Sequence, residues 1–384
     1  MDDSRLRDAK AIPIMDIAGR LDLQGLGRAG HEWVGPCPAC GGTDRFGINP
    51  IKGVWNCRHG CSEKGADGIA LVQVALACDF KAALAYLVGE ADVQVSGAER
   101  QRRDEEAAKQ AKKRADDSAR HRSNAIKAAN GIWIQTKPAA GTAVSSYLDR
   151  RGLPEPLCVD PPRDLRFHPA LRYTVQRAGE WVTIHEGPAM VAAVRNQAGE
   201  LTAIHRTWID LDQPKGKAVL PVEAVDNPKN DGATWPAKKM LGSKKGGAIR
   251  LTPHPARDIA TIVMAEGIET TLTALAANPF GSDAAFWCGA DLGNMAGRRQ
   301  SGKGLKFAGI PDIEDDEAFV PPPWLKRLIF VMDGDSEPRL TRAQCLSGLR
   351  RAKHFNPALD IRLVEVPVGM DLNDMLLEAA NDPA

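Results

Sequence analysis

The sequence predicts a multidomain α/β protein, and three observations carry that expectation. Four cysteines cluster near the N-terminus: Cys37, Cys40, Cys57 and Cys61. A mixed-charge stretch from Glu99 to Arg122 holds nine Lys or Arg and six Asp or Glu, with no Pro, Gly or large apolar residue. From about residue 258 onward, apolar runs alternate with helical patterns, which predicts a parallel sheet with crossover helices. A chain of 384 residues at roughly 150 residues per domain has two to three domains. The expected division is a cysteine ribbon over 1–95, a charged helical linker over 96–135, a basic α+β middle region over 136–255 and a parallel α/β domain over 256–384.

The elements follow in order. Ile12, Ile14, Ile17, Ala18 and Leu21 predict a short leading helix, and the runs starting at Ile69 and Ala82 predict two more after the cysteines. The linker places Glu105 four residues before Lys109, as on a solvated helix. In the middle region Ala143 to Gly152 reads as a helix. Trp181–His185, Ala189–Val194 and Leu201–Ile209 read as strands, with a hairpin at Asn196-Gln-Ala-Gly. The C-terminal region offers strands at Ile259–Ala265, Ala284–Cys288, Leu325–Met332 and Ile361–Val366, with helices over 269–277 and 339–354.

Lys plus Arg is 50 and Asp plus Glu is 49, giving a net charge of +1. That excludes a histone-like electrostatic coat but leaves local basic patches open. No apolar run approaches the roughly 18 residues of a membrane span. The N-terminal Met-Asp-Asp-Ser-Arg has no apolar stretch behind it. A soluble, cytoplasmic protein without a membrane partner is expected.

The cysteine spacing is Cys-x2-Cys, sixteen residues, Cys-x3-Cys. Two such knuckles on a hairpin set four thiolates around a tetrahedral ion, and Zn2+ suits soft ligands without redox chemistry. Four protein ligands make a closed, structural site. Cys61 is the preferred fourth ligand, with His59 in Cys57-Arg-His-Gly-Cys as its alternative. Arg45, Phe46 and Trp55 beside the knuckles suit single-stranded nucleic acid, where bases stack on rings and cations track phosphates. Phe46 and Trp55 could equally supply the small core of the ribbon.

Three C-terminal strands end in carboxylates: Glu266, then Asp333 and Asp335, then Asp371 with Asn373 and Asp374. In a parallel sheet these ends lie side by side, where ligands bind. Gathering carboxylates is costly unless a cation neutralises them, and Mg2+ (or Mn2+) takes such oxygen ligands. This is the pattern of a phosphoryl- or nucleotidyl-transfer site. Between Pro236 and Pro253 lie Lys238, Lys239, Lys244, Lys245 and Arg250 among glycines, with no acid. This segment is expected to face the metal site and contact nucleotide or template, with Arg206 as a further phosphate ligand.

The segments Val263-Met-Ala-Glu-Gly, Asp333-Gly-Asp335 and Gly369-Met-Asp-Leu-Asn-Asp374 resemble a Toprim domain. Gly35-Pro-Cys-Pro-Ala-Cys-Gly-Gly-Thr-Asp-Arg-Phe with Trp55-Asn-Cys and Lys64-Gly-Ala-Asp-Gly-Ile resembles the zinc-binding domain of bacterial, phage and plasmid primases. Tyr147-Leu-Asp-Arg-Arg-Gly-Leu, His205-Arg-Thr-Trp and Lys239-Met-Leu-Gly resemble mobile-element primases. The resemblance implies a DNA primase, which makes short RNA primers on single-stranded DNA from ribonucleoside triphosphates. It implies catalytic roles for Glu266, Asp333, Asp335 and Asp371, with Glu266, Asp333 and Asp335 holding magnesium. Two features depart from the pattern. Cys40 stands where many bacterial primases have a His, and the second knuckle carries one extra residue. No Gly-x4-Gly-Lys-Ser/Thr loop occurs, so a replicative helicase would be a separate partner. The competing readings are a Toprim nuclease and a non-catalytic zinc-ribbon DNA-binding protein. A topoisomerase would need a tyrosine nucleophile, and only Tyr86, Tyr147 and Tyr173 are available.

Overall fold

A computed structural model describes residues 3–58, 61, 63–89, 97–177, 180–223, 233–252, 259–278, 283–300, 302, 304–332, 337–366 and 372. The chain forms two compact units: residues 1–120 with 174–182, and residues 121–173 with 183–384. Among the described residues no single helix is long and apolar enough to cross a membrane.

The first unit opens with α1 (Asp3–Ala11) and α2 (Ile14–Arg20). The single leading helix expected from the apolar pattern is broken because Pro13 lacks an N–H and disfavours a helical residue before it. Strands β1 (Gly27–Ala29), β2 (Glu32–Cys37), β3 (Gly41–Asn49), β4 (Val54–Cys57) and β5 (Lys64–Gly65) form an antiparallel sheet in chain order. Helices α3 (Gly68–Leu76) and α4 (Phe80–Val88) cover it. Each starts where an Asp side chain accepts from the third following backbone N–H, Asp67 from Ala70 and Asp79 from Ala82. Ile17, Phe46, Ile48, Trp55, Leu71 and Leu84 fill the core between sheet and helices. The charged stretch is helical: α5 runs from Gly97 to Trp133.

The second unit continues with β6 (Lys137–Pro138), α6 (Ala143–Arg150), α7 (Glu155–Val159), β7 (Leu165–Arg177), β8 (Glu180–Arg195) and β9 (Leu201–Trp208). A small ribbon, β10 (Leu220–Pro221) with β11 (Thr234–Trp235), precedes β12 (Lys238–Gly242) and β13 (Ala248–Arg250). Then come β14 (Thr261–Ala265), α8 (Ile268–Ala277), β15 (Ala284–Cys288), α9 (Leu292–Ala296), β16 (Arg327–Met332), α10 (Pro338–Phe355) and β17 (Asp360–Glu365). The two strands expected at 181–194 are one long strand, since Gly187 and Pro188 keep the backbone extended between them.

One ten-stranded sheet organises this unit, in the order β12-β9-β8-β13-β15-β14-β16-β17, with β7 on β8 and β6 on β7. β13 pairs antiparallel with both β8 and β15. A division at 255/256 therefore falls inside a continuous hydrogen-bonded sheet. β15, β14, β16 and β17 are mutually parallel. The near-continuous apolar sequences of β14, β15 and β16 fit strands covered on both faces, while β17 at the edge is partly exposed. On β14, Val263 and Ala265 face the side packed by α8, while Ile262 and Met264 face the core with Leu349 and Cys345 of α10. Chain order along these four strands is second, first, third, fourth, so the winding direction reverses between β14 and β16.

Candidate functional site

The cysteine centre is built from strand ends. Cys37 closes β2, Cys57 closes β4, and Cys40 sits in the turn that Gly41 and Gly42 complete at φ +66° and +90°. The four Sγ atoms lie within 4.8 Å of one another. Cys37 to Cys61 is 3.7 Å and Cys40 to Cys57 is 3.6 Å. A tetrahedron of thiolates about 2.3 Å from zinc has edges of about 3.8 Å, so the all-sulfur donor set fits Zn2+ by chemistry and by spacing. The backbone N–H of Cys61 and the neighbouring thiols lower the Cys40 thiol to about 6. His59 lies outside the described residues.

Two expectations for nucleic-acid contact at this centre are corrected. Phe46 is 0% exposed and Trp55 3%. Their rings pack 5.7 Å apart, and the Trp55 indole donates to the Asp67 carbonyl. Both lie in the core between sheet and helices, and at this burial neither ring face is open to a base. Arg45 stays partly exposed, lying across Gly42.

The second candidate site is the carboxyl edge of the parallel strands. Ala265 pairs with Val331 of β16 and Cys288 of β15, and Met332 pairs with Glu365 of β17. Glu266 follows Ala265 and is partly buried. Its carbonyl accepts from the Cys288 thiol, and the Gly289 N–H reaches the Ala265 carbonyl, extending the β14–β15 pairing to this edge. Asp333 and Asp335 follow Met332 in sequence. They and Asp371, Asn373 and Asp374 lie outside the described residues.

Lys244 reaches this edge from the β12–β13 loop. It forms an ion pair with Asp291, whose other oxygen caps α9 through the Asn294 N–H. Burial lowers the Lys244 pKa, while Glu266 and Glu317 act in the opposite direction. The Asn294 side chain donates to the carbonyls of Gly247 and Gly289, clamping the loop to the end of β15.

The remaining basic residues are dispersed rather than gathered on one loop. Residues 238–242 are a strand, paired antiparallel with β9. Alternation along a strand sends neighbours to opposite faces. Lys239 lies over the Tyr173 ring at 4.4 Å, and Arg206 lies over Trp208 and donates to the Met240 carbonyl. Burial lowers the Arg206 pKa to about 10. Lys245 pairs with Asp316 at 2.6 Å. Lys238 goes to the other face and is committed to Glu269.

That last contact belongs to a buried cluster not anticipated from sequence. Glu269, in the first turn of α8, accepts from Tyr147 Oη at 2.5 Å and pairs with Lys217 at 2.9 Å and Lys238 at 3.2 Å. Burial alone would raise the Glu269 carboxyl; Lys238, Lys217 and the Tyr147 hydroxyl outweigh it and hold it well below the usual range. His205 beside it is lowered to about 4 by burial and then by Lys238, so it stays neutral. The cluster fixes α8 one turn beyond Glu266 to α6, β12 and the loop before β10. Glu-Gly-Ile-Glu spacing, which puts Glu266 and Glu269 three residues apart, is the signal that could have revealed it.

Among known proteins, residues 123–251 match a family model described as a domain of unknown function, DUF7146. No curated protein matches the chain. Among solved structures, a DNA primase domain from Pseudomonas aeruginosa matches at 16% identity and a TM-score of 0.34, over 66% of this chain and 74% of that one. The primase fragment of the bacteriophage T7 primase-helicase protein matches at 16% identity and a TM-score of 0.31, over 91% and 95%. Scores this low carry no argument about activity, which has to come from this chain's own residues.

Proposed function

We propose that this protein is a DNA primase that synthesises RNA primers on single-stranded DNA, with a structural zinc ribbon and a Toprim-type nucleotidyl-transfer site. The observation that carries the reading is the reversal of strand order between β14 and β16. Ligands of open parallel sheets bind in the crevice outside the carboxyl ends of the strands at such a reversal. Here β14 runs directly into Glu266, and β16 is followed in sequence by Asp333-Gly-Asp335. The all-oxygen donor set of Glu266, Asp333 and Asp335, with Asp371 in support, suits Mg2+. When bound, that ion would neutralise phosphate charge.

The chain's own residues supply the rest. Gly267 carries no side chain, so a phosphate could approach the backbone beside Glu266 closely. Lys244 stands at the same edge as a cation that can pass from Asp291 to a phosphate oxygen. The Glu269 cluster fixes the turn that presents Glu266, and such positioning with charge complementarity is what this chemistry needs. The thiolate ribbon would engage the template at the start site, and a separate helicase would supply unwinding.

Incubation with labelled ribonucleotides, single-stranded DNA and Mg2+ tests the proposal. Short RNA products that disappear in Glu266→Gln support it. Cleavage of the template would assign the site to a nuclease. Retention of DNA with neither product would leave a binding protein.

A further inference from the structure

Between α9 and β16 the chain makes a long excursion that neither the zinc ribbon nor the carboxyl-edge site uses. At its outer end Phe307 is 40% exposed. Two cations lie over its ring, Lys306 at 5.1 Å and Arg339 of α10 at 4.7 Å from the centroid. The loop is held in place rather than trailing. Arg299 donates to Gln344 of α10 at 2.6 Å and to the Lys306 carbonyl at 2.5 Å. Arg350 of α10 donates to the carbonyls of Ala308 at 2.5 Å and Gly309 at 2.7 Å. Among the described residues, Arg299, Lys306, Arg339 and Arg350 have no carboxylate in ion-pair range.

The acidic run after Ile310 does not cancel this charge. Asp312 and Asp315 pair with Arg298 at 3.4 and 3.8 Å, Asp316 with Lys245 at 2.6 Å, and Glu317 with Arg122 at 3.4 Å. Asp315 is buried and accepts the Arg298 backbone N–H, which supports the turn. Asp312, Asp315, Asp316 and Glu317 thus pair with cations other than those around Phe307, while Lys306, Phe307 and Arg339 are exposed.

We propose that Phe307, Lys306 and Arg339 form a docking platform for single-stranded nucleic acid, on which one base stacks on the Phe307 ring while its neighbouring phosphates meet the two cations. An exposed ring beside cations that no carboxylate among the described residues holds is what sequence-tolerant strand binding requires. Arg339 lies in the first turn of α10, the helix that follows β16, so the platform flanks the carboxyl edge of the sheet. The proposal draws on the primase reading only for the kind of strand. Its test needs neither nucleotide nor catalysis, so the two can fail separately.

The test is equilibrium anisotropy of a fluorescein-labelled oligothymidylate with the full chain, in the absence of divalent ions and nucleotides. Losing a stacked base weakens binding by about 5-fold to 150-fold, so Phe307→Ala should fall in that range while Phe307→Trp retains binding. Lys306→Ala with Arg339→Ala should lower the slope of log affinity against log salt by about 1.4, at roughly 0.7 per phosphate contact. Val364→Ala, an exposed position on β17, should match the unmodified protein. Because these side chains are exposed, thermal midpoints should stay put. Unchanged affinity in Phe307→Ala, or an unchanged salt slope in the double variant, overturns the platform.

Discussion

Glu269 shows how a single side chain can tie a strand-edge turn to distant parts of a fold. A buried carboxylate is tolerated only when its partners compensate its lost hydration, and here two lysines and a phenol do so. Replacing Glu269 by Gln leaves Lys217 and Lys238 facing each other without a counter-charge. We expect a loss of about 3 kcal/mol or more in unfolding free energy, read from urea midpoints at pH 7. Tyr147→Phe removes one hydrogen bond to a charged acceptor and should cost about 2 kcal/mol. The acid limb has a defined sign. Glu269 is held below its ordinary 4.5, so its contribution is complete above that pH and is lost as pH falls through the folded value. The gap between the unmodified protein and Glu269→Gln should therefore close in acid. His205 acts in a neighbouring window. Its folded value of about 4 lies below its ordinary 6.5, so between them the unfolded chain binds more protons and stability rises with pH. His205→Leu should flatten that slope in urea midpoints taken from pH 7 to pH 4. Beyond the three-residue spacing of Glu266 and Glu269, the sequence carries no sign of this cluster. Tyr147, Lys217, Lys238 and Glu269 are separated by up to 122 residues, and each has an ordinary local explanation on a helix face or in a loop.

At the level of elements, legibility followed how strongly one burial pattern dominated. The central parallel strands were readable because both faces are covered, leaving unbroken apolar runs such as Ile262–Ala265 and Leu328–Met332. Strand β12 was not, because Lys-Lys-Met-Leu-Gly puts a lysine on each face and mimics a phosphate loop. Gly242 closes that strand at φ +103°, where an added Cβ would stand 2.4 Å from the Thr202 carbonyl. Gly242→Ala should therefore destabilise the β12–β9 pairing by about 2 kcal/mol or more, with loss of amide protection in β9 as the readout. The ribbon makes a different prediction. Its thiolate spacing was legible, but the roles of Phe46 and Trp55 were divided between core and surface until burial decided them. The strand ends that carry Cys37 and Cys57 are held together through the ion, and metal binding at such a site is coupled to folding. Chelation, or Cys57→Ser, should melt the first unit while the β14–β17 sheet keeps its own transition, and native protein should contain one zinc per chain by mass spectrometry.

For the whole molecule, the carboxyl-edge site and the Phe307 platform should separate kinetically. Glu266 belongs to the proposed reacting centre, so its contribution is realised in the transition state. Phe307 would contribute equally to the bound ground state and the transition state. An interaction of the first kind changes kcat, and one of the second kind changes KM alone. Glu266→Gln should thus lower kcat for primer synthesis by at least about a hundredfold, on the scale of removing one electrostatic catalytic group, with strand affinity intact by anisotropy. Phe307→Ala should raise KM for the template in proportion to its loss of affinity and recover full kcat at saturating DNA. Combining the two substitutions should multiply their effects on kcat/KM, since additivity in free energy holds for sites without shared partners. A combined loss no greater than that of Glu266→Gln alone would mean that the platform acts only through the catalytic edge, and the independence of the two sites would have to be abandoned.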